Sequence, residues 1–411
     1  MADPSNTPLS TIRIAVHAGG VGAAYAARML ATMGAECVLV EGPDGSALRR
    51  EAPFLPTPLP LAGGVGGGPV TDSAAPQTDT PTRVESHVPL NAPSRKREGE
   101  SAMFAYLTAG MSAQTIDLAE NRPALGALLA TCDIFIDDTP VADRAALGLD
   151  PETLAAQHPH LVHVSVLPFG ATGPKAQWKG EEINVLHASG EGYLLPNGLT
   201  IEQFPDRPPV KVHGHFTELQ GGAAGALGAL SALWVRDEVG GQFVDISAQD
   251  AGLAVGAFAI QRLGDGSVEH RVERSFRYGG VIACADGFVE LLTLEHRQWT
   301  GLVALLGNPD WAQDPALADS VERSRRGPEL NRHIRSWAAT RKVNDVVREG
   351  QKLWVPLAKY YTCDEVLADA HEASRGLFQT VPVPGVGALP VLVSPFHFDG
   401  TPLVLAGGPP A

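Results

Sequence analysis

The chain is short of cysteine, of aromatic residues and of positive charge. Its 411 residues include 4 Cys and 6% aromatic residues, and 31 Lys and Arg stand against 46 Asp and Glu, a formal net charge of −15. Because polyanions are bound mainly by Lys and Arg, this balance disfavours a nucleic-acid-binding protein, and no nucleic-acid partner is expected. The cysteines show no C-x-x-C spacing, so neither a disulfide framework nor a zinc site is expected.

Long hydrophobic runs are also missing. The nearest candidate, residues 221–234, is rich in Gly and Ala and too short for a membrane span, which needs about 18 or more apolar residues. This composition is typical of a closely packed internal helix. The first residues lack the charged and then apolar pattern of a signal peptide. The sequence therefore predicts a cytoplasmic protein with no membrane partner.

The first 41 residues predict a β-α-β unit. Residues 11–16 and 36–40 are strand-like, and the Ala-rich segment 23–33 between them has helical composition. Alternating strands and helices continue beyond this unit, so we expect an α/β fold whose large domain has a Rossmann-like parallel sheet. Further strands are expected at 102–107, 114–118, 133–138, 161–166 and 243–247.

The domain division follows from changes in composition along the chain. Residues 52–98 are dense in Pro and Gly and have no sustained periodicity, which indicates a long insertion in the large domain. We expect the large domain at 1–200, a smaller α+β domain at 201–330, and a return to the large domain at 331–411. The turn Asp286-Gly287 in residues 278–294 indicates a small antiparallel unit.

Three familiar kinds of site are disfavoured. Gly19-Gly-Val-Gly-Ala-Ala24, with Glu41 at the end of the next strand, resembles a dinucleotide fingerprint, but Tyr25 occupies the position of the third glycine, which is needed for helix packing. His213 and His215 lack a neighbouring ligand cluster, and Glu218 fits the first turn of a helix better than a metal site. No G-x-S-x-G elbow of a serine hydrolase occurs. Neither NAD nor a metal is therefore expected.

The informative motifs are spread along most of the chain. The densest group is Leu147-Gly-Leu-Asp-Pro-Glu-Thr-Leu154, His158-Pro-His-Leu-Val-His-Val-Ser165 and Phe169-Gly-Ala-Thr-Gly-Pro174. Flanking motifs include Glu41-Gly-Pro-Asp-Gly45 with Arg49, Gly240-Gly-Gln-Phe-Val-Asp-Ile-Ser247 and Pro384-Gly-Val-Gly-Ala-Leu-Pro390. In order and spacing, from about residue 11 to 400, they closely resemble the class III coenzyme A transferases, which include carnitine CoA-transferase and formyl-CoA transferase.

This resemblance implies a two-domain protomer in an interlocked dimer, with coenzyme A as the substrate thioester and a carboxylic acid as the second substrate. It also implies that the ends of the first strands hold coenzyme A. The positions implied are His17, Gly19, Glu41, Arg49 and Met111.

The resemblance places Glu182 at the position of the catalytic carboxylate. The family pattern is Gly-Tyr-Asp-Leu, and Gly180-Glu-Glu-Ile183 falls in its register. A carboxylate at this position attacks the acyl-CoA thioester and carries the acyl and CoA groups in turn. On the residues alone, Glu181 and Glu182 also fit first-turn carboxylates that merely stabilise a helix.

A second departure concerns positive charge. Where the family has a Lys-Arg pair, this chain has Met111 and Ser112. A coenzyme A site built only from this chain therefore lacks part of the positive charge that would bind the phosphates.

Three hypotheses follow. The chain is a working CoA-transferase, with succinyl-CoA as an example of a donor and Glu182 as the acyl carrier. Alternatively, it is a degenerate structural subunit of a heteromeric transferase, similar to benzylsuccinate CoA-transferase, whose paralogous partner carries the active Asp. The third hypothesis is an acyl-CoA racemase with His187 as the partner of Glu182. The first two correspond to a homodimer and a heterodimer, respectively.

Overall fold

The computed structural model describes residues 7–55, 99–195, 206, 208–256 and 277–411. These residues belong to two compact units. Unit 1 comprises Met1–Gln177, Gly221–Ser247 and Gly376–Ala411, and unit 2 comprises Trp178–Gln220 and Ala248–Arg375. Most of the expected insertion, residues 56–98, lies outside the described residues.

The centre of unit 1 is a six-stranded parallel sheet with the strand order β3-β2-β1-β4-β5-β6. This confirms the expected α/β class with a parallel sheet. The strands are β1 (Arg13–His17), β2 (Glu36–Glu41), β3 (Ser112–Thr115), β4 (Ile134–Asp137), β5 (Val162–Leu167) and β6 (Phe243–Ser247).

The central strands form because their residues are apolar and buried on both faces, as in other parallel sheets. Ile14 of β1 pairs with Cys37 on one side and Ile134 on the other, and Ile14 and Ile134 are fully buried. The edge strand β3 is exposed along its length. The register of the central strands aligns the carboxyl ends of β1 and β4, where His17 pairs with Asp137.

Helices join the strands of unit 1. They are α1 (Val21–Thr32), α2 (Ala102–Thr108), α3 (Arg122–Leu129), α4 (Val141–Leu147) and α5 (Pro151–Gln157), with α7 (Phe216–Val239) beginning in unit 2 and running into unit 1. Helix α1 packs closely against α7 where Gly22 meets Gly222. A Cβ at Gly222 would lie only 2.5 Å from the carbonyl oxygen of Gly22, so this approach depends on the missing side chain. Two hairpins, Phe378–Val383 with Gly387–Leu392 and His397–Phe398 with Thr401–Pro402, complete this unit.

The expected strand at 102–107 is wrong. These residues form helix α2, which begins after Ser101, whose hydroxyl accepts the N–H of Phe104 at 3.0 Å. Phe104 and Leu107, three residues apart, are both fully buried. The apolar residues therefore follow a helical period, and the N-cap fixes where the helix begins.

Unit 2 combines short helices with a small antiparallel sheet in the order β7-β8-β9, as expected for residues 278–294. Its core consists of buried apolar residues that lie between Tyr278 and Leu357 in the sequence. The elements are α6 (Glu182–Ala188), α8 (Ala248–Val255), β7 (Gly280–Cys284), β8 (Gly287–Leu291), α9 (His296–Leu305), α10 (Ser320–Arg325), α11 (Gly327–Ala338), α12 (Val343–Lys352), β9 (Leu357–Lys359), α13 (Cys363–Ala368) and α14 (Ala370–Arg375).

Candidate active site

Glu182 is the first residue of helix α6. Glu181 is the N-cap and forms a capping box with Asn184, so the segment begins its helix without using the Glu182 side chain. Helix α6 buries Val185 and Leu186. The Glu182 side chain is consequently available to a different part of unit 2.

The Glu182 carboxylate binds the N-terminus of helix α7. The N–H of Thr217 donates to both carboxylate oxygens, at 3.0 and 3.1 Å, and the N–H of Glu218 donates at 3.0 Å. Glu182 is 4% exposed. Free N–H groups and the positive end of the helix dipole stabilise an ionised carboxylate at this place. Glu182 is therefore a buried carboxylate held in one orientation by main-chain donors.

A second carboxylate lies beside this group. Glu218 accepts a hydrogen bond from, or donates one to, His215 Nδ1 at 2.5 Å. Burial raises the pKa of Glu218, His215 opposes that rise, and the nearby charges of Glu182 and Glu181 add to it. Glu218 therefore takes up a proton more readily than an ordinary Glu.

Thr217 also contributes a buried hydroxyl. Its side chain is 1% exposed, and its Oγ1 has no hydrogen-bond partner among the described residues. Sequence reasoning did not identify Thr217 as part of the site, because its contact with Glu182 is made by main-chain N–H, which any residue other than Pro supplies.

His187, the proposed partner in a racemase, faces a different neighbour. A Cβ at Gly192 would lie 2.2 Å from His187 Nδ1, so the ring packs on the turn that follows α6. Similarly, a Cβ at Gly252 of α8 would lie 2.9 Å from side-chain carbons of both Ser189 and Thr217. Small residues thus allow the segments around Glu182 to approach one another.

The glycine turn after β1 binds the side-chain carboxyl group of Asp138. The N–H of Gly19 donates to both oxygens of Asp138 at 3.0 Å, and the N–H of Gly20 donates to Oδ2 at 2.6 Å. Gly20 is the N-cap residue of α1. Burial raises the pKa of Asp138 to about 7, although the N–H groups of Gly19 and Gly20 lower it, and Asp137 adds to the rise.

Two of the expected coenzyme A positions form an ion pair with each other. Arg49 donates to the two oxygens of Glu41, each at 2.8 Å, and its guanidinium lies 4.0 Å from the ring centre of Phe104 and 3.7 Å from Glu100. Burial pushes the pKa of Glu41 upward, but the hydrogen bonds from Arg49 and Ser46 outweigh it and hold the pKa below its usual value. The positive charge of Arg49 is thus balanced within the protein.

The other expected positions lie at or near strand ends. His17 ends β1, its Nδ1 is 3.2 Å from the hydroxyl of Thr139, and burial lowers its pKa against the opposing charge of Asp137. Met111 is 6% exposed, directly before β3, whereas Ser112 is exposed. The structure thus gathers His17, Gly19 and Asp138 at adjoining strand ends, and it buries the Met111 side chain.

Potential metal ligands do not cluster within the described ranges, where no group of three or more His, Cys, Asp or Glu side chains is arranged to hold an ion. Nor does any helix in the same part of the chain combine the length and apolar character that a bilayer span requires.

The architecture defines a Rossmann-like α/β protein with a buried carboxylate at a helix N-terminus. The family model of "CoA-transferase family III" matches residues 75–411. The chain therefore belongs to CoA-transferase family III, as its motifs had indicated.

Individual relatives agree with this assignment. The chain is 29% identical over 289 residues to the probable CoA-transferase Rv1866 of Mycobacterium tuberculosis; the match covers 66% of this chain and 34% of that protein. The chain thus spans about a third of the length of this relative. It is 25% identical over 406 residues to the succinate–glutarate CoA-transferase of Agrobacterium fabrum, covering 96% of this chain and 90% of the relative.

Two further proteins bear on assembly and fold. Identity is 24% over 391 residues to subunit BbsE of the succinyl-CoA:(R)-benzylsuccinate CoA-transferase of Thauera aromatica, covering 90% and 83% of the two chains. A CAIB/BAIF family protein from Brucella suis superposes with a TM-score of 0.76 at 23% identity, over 99% of this chain and 96% of that one. The latter likeness shows a shared fold.

Proposed function

We propose that this protein transfers coenzyme A from an acyl-CoA donor such as succinyl-CoA to a carboxylic acid, with Glu182 as the acyl carrier. The observation that carries the proposal is the Glu182 carboxylate held by the N–H groups of Thr217 and Glu218. The resemblance of Gly180-Glu-Glu-Ile183 to the family's Gly-Tyr-Asp-Leu pattern supports this role for Glu182. The succinyl-CoA and succinate substrates of the named relatives support a dicarboxylate donor.

The chemistry needs a carboxylate but no resident cofactor. An oxygen of Glu182 attacks the thioester carbonyl, the C–S bond breaks, and a mixed anhydride and coenzyme A thiolate form. The thiolate then attacks the glutamyl carbonyl, which releases the donor acid and leaves a glutamyl-CoA thioester. The acceptor carboxylate repeats these steps in reverse and restores Glu182.

The N–H groups of Thr217 and Glu218 have a defined part in this scheme. They hold the ionised carboxylate in one orientation before attack, which avoids the entropy of fixing a mobile side chain. In the tetrahedral intermediate formed at the glutamyl carbonyl, the same donors face the oxygen that carries the developing negative charge.

Coenzyme A binding at His17, Gly19, Glu41, Arg49 and Met111 is part of this proposal, and the fit is incomplete. Glu41 balances the charge of Arg49, and the N–H of Gly19 is bonded to Asp138. Met111 is a buried apolar side chain. As placed, these five residues do not provide a set of unpaired cations for the phosphates of coenzyme A.

This incomplete fit favours a second candidate function. In it, the chain is a structural subunit of a heteromeric transferase, and a paralogous partner in an interlocked dimer supplies the active Asp and the cations. The likeness to BbsE, described as a subunit, supports this candidate. In the first candidate, the interlocked dimer contains two copies of this chain.

The test is a transfer assay with the purified chain, alone and with a paralogous partner, using succinyl-CoA and a panel of carboxylic acids. Glu182→Gln keeps the size and one acceptor oxygen, so it should fold and lose transfer by at least about 10³-fold. Glu181→Gln is the matched control, because Glu181 caps α6, whereas the N–H groups of Thr217 and Glu218 bind Glu182.

The outcomes separate the two candidates. Transfer by the isolated chain that survives Glu182→Gln would contradict the carrier role of Glu182. Transfer only by the pair, unaffected by Glu182→Gln, would establish the structural subunit instead.

A further inference from the structure

The side chain of Thr217 lies beside the Glu182 carboxylate, in the first turn of helix α7. The main-chain N–H of Thr217 donates to the two oxygens of Glu182 at 3.0 and 3.1 Å. Its side chain is 1% exposed, yet its hydroxyl makes no hydrogen bond within the part of the chain that the structure describes. Buried hydroxyls normally have a partner, and one without a partner destabilises the fold. The free hydroxyl is therefore retained at a cost in stability.

The surroundings of Thr217 distinguish the two branches of its side chain. A Cβ at Gly252 would lie 2.9 Å from the γ-methyl carbon of Thr217, so the methyl group packs against α8. The hydroxyl is the other branch. A threonine hydroxyl lies less than about 4 Å from its own main-chain nitrogen. Because that nitrogen is within 3.1 Å of both Glu182 oxygens, the hydroxyl lies within about 7 Å of the carboxylate. A movement of a few ångströms by the Glu182 side chain brings the two groups together.

In the resting protein the Glu182 carboxylate does not need this donor. Its negative charge is shared by two oxygens, and these accept the main-chain N–H groups of Thr217 and Glu218. This arrangement cannot persist during acyl transfer. Once one oxygen of Glu182 is bonded to the acyl group, it becomes the bridging atom of an anhydride, which is a poor hydrogen-bond acceptor.

The need for donors is greatest when the coenzyme A thiolate attacks the glutamyl anhydride. An electron pair of the sulfur forms the new C–S bond at Cδ of Glu182, and the π electrons of the carbonyl move onto its oxygen as a full negative charge. When this oxyanion collapses, the carbonyl forms again and the donor acid leaves as its carboxylate, so no proton is gained or lost. A single oxygen that carries the whole charge binds donors more strongly than a neutral carbonyl oxygen does.

We propose that the Thr217 hydroxyl is a further catalytic donor, unbonded in the resting protein, that hydrogen-bonds the oxyanion formed at Glu182. The hydroxyl donates this hydrogen bond without giving up its proton. Because the bond exists in the transition state and not in the ground state, it raises kcat. The proposal rests on the proposed role of Glu182 as the acyl carrier.

Thr217→Val tests this role, because it removes the hydroxyl and keeps the branched shape and the main-chain N–H. Loss of one oxyanion donor costs other enzymes about 10²-fold or more, and since two main-chain donors remain here, we expect kcat with succinyl-CoA to fall at least about tenfold. KM for succinyl-CoA should stay unchanged, because the hydroxyl binds nothing in the ground state. The free energy of unfolding should rise, because no unpaired hydroxyl remains. Thr217→Ser, which restores the hydroxyl, should restore kcat.

Thr293→Val is the matched control within unit 2. Thr293 is fully buried, but its hydroxyl donates to the hydroxyl of Tyr278 at 2.9 Å. The same chemical change should therefore lower the free energy of unfolding and leave kcat unchanged. If Thr217→Val does not fold, Thr217→Ala, which removes the hydroxyl and adds no bulk, should show the same loss of kcat.

Two results would overturn the proposal. One is a folded Thr217→Val or Thr217→Ala protein with the kcat of the unmodified protein. The other is a Thr217→Ser protein as slow as Thr217→Val, because the hydroxyl would then not be the group that matters. Glu182→Gln is assayed in parallel, so failure here is distinguishable from failure of the carrier role. In the latter case transfer survives Glu182→Gln, and the proposal for Thr217 fails with it.

Discussion

Asp138 and Glu182 each bind a helix N-terminus in a distant part of the chain. Asp138 binds the start of α1 through Gly19 and Gly20, and Glu182 binds the start of α7 through Thr217 and Glu218. The donors and the helix dipole are the same in kind. What differs is the place of each pair in the fold, and therefore what the carboxylate can do.

The surroundings explain the difference. Asp138 ends a run of two acids at the carboxyl edge of the sheet, where Asp137 adds to its raised pKa. Glu182 is 4% exposed, and its neighbour Glu218 has the raised pKa. One helix N-terminus thus binds Asp138, whose pKa is raised to about 7. The other holds the Glu182 carboxylate beside Glu218, whose pKa is raised mainly by burial.

After the loss expected for Glu182→Gln, the largest effect is expected from shortening the Glu182 side chain. Glu182→Asp keeps the charge but removes one methylene, so the carboxylate withdraws from Thr217 and Glu218. Misplacing a reacting group by about 1 Å costs on the order of 10²-fold in rate, so kcat should fall by that amount. Steady-state kinetics with succinyl-CoA checks this. Activity equal to that of the unmodified protein would show that the contacts to α7 are not required.

The next effect concerns Asp138 and pH. With a pKa of about 7 in the folded protein against about 3.9 unfolded, this group binds its proton more readily when folded. Its unfavourable contribution to stability therefore appears as pH rises from about 4 to 7. Asp138→Asn should gain roughly 2 kcal/mol over the unmodified protein between pH 5 and pH 8.

Urea unfolding at several pH values measures this difference. Asp150→Asn serves as the control, because the pKa of Asp150 is lowered by its hydrogen bonds to Thr153. Its stabilising contribution is present above the unfolded pKa and is lost only as pH falls below it, so no gain should develop between pH 5 and pH 8. A pH-independent offset for Asp138→Asn would contradict the raised pKa.

A smaller effect is expected at Thr217. Its hydroxyl is buried without a partner among the described residues, which costs about 1–3 kcal/mol relative to a satisfied group. Thr217→Val keeps the main-chain N–H and the side-chain shape, so it should raise the free energy of unfolding by about 1 kcal/mol. Thermal unfolding checks the gain. A loss of stability would instead indicate that the hydroxyl has a partner in the folded protein.

The smallest effect is on Glu218. Because the charge of Glu182 raises the pKa of Glu218, Glu182→Gln should lower that pKa. Carboxyl ¹³C signals of Glu-labelled protein report the titration, and His215→Gln should move the pKa of Glu218 upward. An unchanged pKa in Glu182→Gln would mean that the two carboxylates do not interact.

Local pattern predicted much of this fold. The β-branched runs at β1, β4 and β5 and the Ala-rich α1 follow from the residues themselves, and the parallel order follows from their alternation with helices. The register of the family motif identified Glu182 as the candidate carboxylate. The prediction of a strand at residues 102–107 was wrong. The composition of this segment fits a strand, whereas the N-cap residue Ser101 and the spacing of Phe104 and Leu107 fit a helix.

The partners of the two carboxylates were beyond sequence reasoning. Asp138 and Gly19 are 119 residues apart, and their contact depends on the adjacency of β1 and β4. Once that adjacency is known, an acid following β4 is a signal that could have been used. Thr217 and Glu218 contribute main-chain donors, which leave no mark in side-chain identity.

The most direct test of the central claim is to trap the covalent intermediate. The protein is incubated with succinyl-CoA, treated with hydroxylamine, and digested for mass spectrometry, with Glu182→Gln and Glu181→Gln processed in parallel. The proposed mechanism predicts a glutamyl hydroxamate at Glu182 in the unmodified protein and in Glu181→Gln, and none in Glu182→Gln. Active transfer with no modification at Glu182, or with the label at another residue, would contradict it.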